Sequence, residues 1–149
     1  MEYADESGLQ RAELRDAEGT LRFLLGGSAI ATFESQKTGT HYTYQVRASE
    51  GPGPVSHFVS VLTGPDHFEY FGHLVGRSTF RLGARSKISI AAKSVVAFQW
   101  VWRHLTAKRM PPDARIYHEG RCCVCGRRLT TPRSILIGVG PICEAMMGE

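Results

Sequence analysis

Four cysteines, Cys122, Cys123, Cys125 and Cys143, fall within 22 residues, and the chain has no others. Cys122 and Cys125 form a Cys-x2-Cys pair followed by Gly126. Two thiolates at that spacing stand about one turn apart and can converge on one metal ion. The residue after the second thiolate must tolerate positive φ so that backbone amides can face the sulfurs, and glycine does so at least cost. Cys143 can supply a third ligand. Gly138, Gly140 and Pro141 precede it and predict a tight turn that delivers it to the start of a short last helix. The fourth ligand is open between two residues. His118, four residues before Cys122, would complete a tetrahedral set of three thiolates and one neutral imidazole. Cys123 is the rival, although adjacent cysteines rarely both reach one ion. Four protein ligands leave no position for water, so the expected ion is a structural zinc, supplying folding energy to a segment poor in apolar residues.

Without metal, the same residues would be reduced thiols or a disulfide. No secretory signal peptide opens the sequence, so the expected compartment is the cytosol, where disulfides are disfavoured.

The run Cys122-x2-Cys125-Gly126-Arg127-x-Leu129-Thr130-x-Pro132-x-Ser134-Ile135, continued by Gly138-x-Gly140-Pro141-x-Cys143, carries a resemblance. It is similar to the C-terminal signature of a poorly characterised family of small proteins, met mostly in bacteriophage and mobile-element genomes. His118 to Arg121 resembles the same pattern. That family usually has a small residue where Cys123 stands, which implies that Cys123 is not a ligand. The resemblance implies a phage-type setting, hence a host cytosol, and a zinc-bound tail. It implies no reaction.

Charge is the second chemical signal. Residues 77–133 hold 13 of the 18 Lys and Arg against Asp113 and Glu119, a local balance of +11. Residues 1–20 hold six acids against Arg11 and Arg15. A basic face attracts phosphate or an acidic protein surface. The candidate contact residues are Arg103, Lys108, Arg109, Arg115, Arg121, Arg127, Arg128 and Arg133. A metal-fixed loop would hold those nearest the thiols rigidly, so they lose less entropy on gripping phosphate or carboxylate. The plainer alternative is that Arg127 and Arg128 pair with Glu119 or Glu144.

The elements that must position these groups follow from periodicity. Residues 1–20 read as an acidic, flexible leader. Residues 21–110 read as a sheet plus one helix, and 111–149 as the zinc-binding segment, knuckle-shaped and treble-clef-like. Strands are expected over 21–25, 29–34, 41–47, 58–62, 67–74 and 79–82. Turns at Thr38-Gly39 and Gly64-Pro65 would join them into an antiparallel meander of five or six strands. Tyr42, Tyr44, Phe58, Phe68, Tyr70, Phe71 and Phe80 on those strands either pack under the helix or stack bases. Ser94 is the expected N-cap of a helix to residue 107, with Val95, Phe98, Val101, Trp102 and Leu105 on its buried face. Trp100 and Trp102 lie about 200° apart on the wheel and cannot share that face. The fold class is α+β.

Functionally, 42% apolar and 21% charged residues fit a globular chain, and no apolar run approaches the ~20 residues of a membrane span. There is no phosphate loop, nucleophile elbow or zinc-deaminase His-x-Glu pattern. The expected function is a non-enzymatic, zinc-containing accessory protein that binds nucleic acid or a nucleoprotein complex. The alternative is a phage-encoded protein inhibitor of a host defence system, such as a CRISPR effector.

Overall fold

Alternating apolar and polar residues build the sheet, which the computed structural model describes within residues 2–4, 10–50, 52–76 and 78–147. Five strands run consecutively: β3 (Ser28–Ser35), β4 (His41–Ala48), β5 (Ser56–Leu62), β6 (Phe68–Val75) and β7 (Thr79–Leu82). Each pairs antiparallel with the next. Gly39, at φ 76°, makes the first hairpin turn. This is the expected meander.

The sheet continues past β3. β8 (Ala114–His118) pairs antiparallel with β3 on one side and with β2 (Gln10–Leu14) on the other, and β1 (Glu2–Ala4) forms the edge. The order is β1-β2-β8-β3-β4-β5-β6-β7. Three expectations are corrected here. Residues 10–20 are not a leader, because Ala12 and Leu14 turn inward from β2 and are buried. Asp16 then caps α1 (Ala17–Leu24), accepting the Gly19 amide at 2.8 Å, with Glu18 and Arg22 placed to suit the helix dipole. Residues 21–24, read as a strand, are the end of this helix. The acidity of the opening segment is therefore partly capping chemistry. Residues 5–9 of the leader lie outside the described residues. Likewise 111–149 is not separate from the sheet, since β8 sits in the middle of it.

α2 (Lys93–Thr106) buries Val95, Phe98, Val101, Trp102 and Leu105, the face that helical spacing picks out. Phe98 is the hub. The rings of Phe33, Tyr44, Phe71, Phe80 and Trp102 lie 5.2–6.0 Å from it, centroid to centroid. The helix starts one residue before Ser94, with Ala92 at the cap and no side-chain capping bond. The Ser94 carbonyl instead accepts the Tyr44 hydroxyl at 2.6 Å. Trp102 donates its indole N–H to the Ser78 carbonyl at 3.0 Å. Trp100 packs on His104, centroids 4.5 Å apart, beside a groove floored by Phe33 and Tyr42. Thus Tyr44 and Phe71 are core and Tyr42 and Phe80 pack against it, whereas Phe58 stays exposed on the other face.

If β2 is structural, Leu14→Ala removes a buried side chain and should lower the unfolding free energy by about 2–4 kcal/mol in urea titration. A change under about 0.5 kcal/mol, typical of surface substitutions, would return this segment to a leader.

Candidate metal centre

β8 ends at His118, and Gly120, at φ 90°, turns the chain into a short hairpin. There the Leu129 amide donates to the Gly120 carbonyl at 2.9 Å and the Cys122 amide to the Arg127 carbonyl at 2.8 Å. At its tip Gly126 adopts φ 78°, as the knuckle spacing requires, and its amide donates to the Cys122 carbonyl. Thr131 and Ser134 then form a reciprocal capping box on α3 (Pro132–Ile137), which Gly138 ends in the left-handed region. Gly140 leads into α4 (Pro141–Met146), whose third residue is Cys143.

These turns bring the sulfurs of Cys122, Cys125 and Cys143 within 4.8 Å of one another. Tetrahedral Zn–S bonds of about 2.3 Å would set sulfurs about 3.8 Å apart, so small side-chain rotations close the site on an ion. The amides of Val124 and Gly140 each donate to Cys122 Sγ at 3.4 Å. Burial, the largest single effect on the Cys122 thiol, pushes its pKa up, but these amides together with that of Cys125 outweigh it and bring it below the ordinary value. Cys143 goes the other way, to about 11, through desolvation and then the neighbouring sulfurs of Cys125 and Cys122. Three thiols this close resist a further negative charge unless a cation joins them.

The structure separates the two rival fourth ligands from this group. Among the described residues no other His, Cys, Asp or Glu joins the three thiols. His118, expected as a ligand, faces inward from β8 beside Ile116 and is fully buried. Its Nδ1 accepts the Gly120 amide at 2.9 Å, and its Nε2 bonds the Ile135 carbonyl. Both ring nitrogens thus serve backbone groups, which suits the neutral Nε2–H tautomer. The ring also stacks on Phe23 at 5.7 Å. His118 therefore joins β8, the knuckle turn and α3. Cys123 is a packing residue. A Cβ on Gly26 would come within 2.6 Å of its sulfur, so the Gly26 hollow at the end of α1 receives it. Its carbonyl accepts the Ser28 amide at 2.7 Å and its amide donates to Gly138. Burial first, and the neighbouring Cys122 second, push the Cys123 thiol up to about 12. Nothing in the local sequence around Gly26 marks it as this seat, which only the fold brings to Cys123.

The candidate arginines fall into separate groups. Arg127 and Arg128 are exposed and, with Leu129, Ile142 and the three thiols, line one hollow. Arg121 donates to the Gly126 carbonyl at 3.2 Å. Arg133 is ion-paired with Glu144, which raises its pKa. Glu119 accepts the Thr32 hydroxyl. Arg115 points outward from β8 and is raised by its hydrogen bond to Tyr117 and then by the charge of Glu13. Arg103, Lys108 and Arg109 cluster at the end of α2, with Lys108 at φ 65°.

Residues 112–148 match a family of unknown function, DUF6011. The matched region starts just ahead of β8 and takes in the hairpin and both short helices, about a quarter of the chain. No curated protein and no solved structure matches the chain. The three thiols that could hold a metal lie inside the matched region.

Elemental analysis of purified variants tests the ligand set. Cys125→Ser and Cys143→Ser should abolish bound metal, while Cys123→Ser and His118→Gln retain it. His118→Gln should still cost about 1–3 kcal/mol in stability, because its buried backbone partners lose a matched group. Loss of metal in His118→Gln without loss of fold would restore the imidazole as a ligand.

Proposed function

We propose that the protein is a non-enzymatic accessory factor of a phage or mobile element that uses a structural zinc to hold a cationic surface against nucleic acid or a nucleoprotein complex in the host cytosol. One observation carries the reading: Arg127 and Arg128 are exposed on the same hairpin that carries two of the three convergent thiols, Cys122 and Cys125. A soft, all-sulfur donor set favours zinc among common cellular dications. The ion would close the hairpin and fix both guanidinium groups. Pre-positioned guanidinium forks bind phosphate oxygens in pairs with little further ordering. Hydrogen bonds that occupy Arg121 and Arg133 internally leave Arg127 and Arg128 as the leading contacts.

Fluorescence anisotropy with labelled DNA and RNA tests this. Binding should weaken steeply as salt rises, and the double variant Arg127→Ala/Arg128→Ala should lower the logarithmic salt slope by about two. No detectable binding to either nucleic acid at about 50 mM salt would overturn the reading.

A second reading, a protein inhibitor of a host defence complex such as a CRISPR effector, has its own support. A groove of about 350 Å³ lies between α2 and the β3–β4 hairpin, lined by Phe33, Tyr42, Trp100 and Val101. The Lys37–Asp113 ion pair, at 3.6 Å, stands at its rim. Such a groove fits an apolar side chain of a partner. On this reading, one host protein co-purifies after nuclease treatment and is lost in Trp100→Ala. Recovery of nucleic acid alone would exclude it.

A further inference from the structure

We infer that the helix-free face of β4–β7 is a binding site for single-stranded nucleic acid, with Phe58 as the base-stacking ring and Arg47 and Arg81 as phosphate contacts. The inference rests on the nucleic-acid reading above and adds a second surface to it. Strand register defines the face. Phe58 stands opposite Arg47 on one side and His73 on the other, and His73 stands opposite Arg81. The next row holds Gln45, Ser60 and Tyr70. The neighbours Val46, Val59 and Leu74 point the other way and are buried on the helix side. Phe58 remains 44% exposed, and Leu62 on the same face is exposed as well.

Charge selects the occupant. β4 to β7 contain one carboxylate, Glu69, and it pairs with buried Val61, placing it on the helix side. The open face therefore carries Arg47 and Arg81 with no acid between them. They are three strand spacings apart, about 14 Å, with the aromatic ring between them. An aromatic plane flanked by guanidinium groups is the physical recipe for a single strand: bases stack on the ring while cations follow the backbone. A duplex keeps its base faces stacked inside and cannot offer them to a sheet. The rings are also held in place. Tyr70 meets Phe58 edge-on at 6.1 Å, its hydroxyl lies 3.4 Å from His73 Nδ1, and it covers Gly83 so closely that a Cβ there would fall 2.3 Å from the hydroxyl. Gln45 and Ser60, in the next row, offer donors and acceptors to base edges.

The test is anisotropy with labelled single-stranded RNA, single-stranded DNA and the matching duplex, each about 12 nucleotides long, within the range such platforms cover. Phe58→Ala should weaken single-strand binding about tenfold and leave duplex binding unchanged, while Phe58→Trp retains it. Arg47→Ala and Arg81→Ala should each lower the salt slope by about one. The RNA and DNA arms show which strand is preferred. If oligonucleotides bind and Arg127→Ala weakens them, but Phe58→Ala stays within twofold, this site is wrong and the reading of the cysteine hairpin stands. If no oligonucleotide binds, both fall. Capture of an acidic protein that Phe58→Ala abolishes, without oligonucleotide binding, assigns the face to a protein and overturns the inference.

Discussion

Three sulfurs drawn within 4.8 Å of one another must share either protons or a cation, and the C-terminal region is arranged around that requirement. The backbone has already met part of the cost. Two amides face Cys122, one from the hairpin and one from the turn before α4, and favour its thiolate. Cys143, by contrast, holds its proton more tightly than a free thiol. A dication bound there would reverse that balance, converting mutual repulsion among thiolates into three bonds. The glycines at 126, 138 and 140 belong to the same arrangement, since the sulfurs converge only if the chain turns at those positions.

What makes the hairpin more than a local loop is its attachment. β8 lies between β2 and β3, so the residues leading to the thiols are fixed by hydrogen bonds on both sides. His118 extends this fixation past the strand end, bonding the turn at Gly120 and the end of α3 at once. Cys123 seats the hairpin on Gly26 and the start of β3. A cationic surface carried on such a support keeps its shape relative to the sheet. The cysteine hairpin and the open sheet face are then parts of one framework, joined where Gly126 comes near Ser28 at the start of β3.

The meander and α2 were legible because each carries a complete periodic signal: alternation in β3–β7, and helical recurrence from Val95 to Leu105. The convergence of Cys122, Cys125 and Cys143 was legible because the knuckle spacing and the glycines constrain the local chain by themselves. β2 and β8 were not. Each is five residues long, and each is a strand by virtue of neighbours distant in sequence. That omission also misplaced His118. Judged only by its spacing to Cys122, His118 is a candidate ligand; as the inward residue of β8 next to Ile116, it belongs to the core. Asp16 was a capping signal hidden within an acidic run, so α1 was divided between a leader and a strand.

X-ray absorption at the metal edge of natively purified protein addresses the central claim most directly. Natively purified protein should hold one zinc per chain with three sulfur neighbours at about 2.3 Å and one lighter atom completing the shell, without the outer-shell scattering of an imidazole ring. Protein that folds without metal, or a zinc whose spectrum requires histidine, would contradict it.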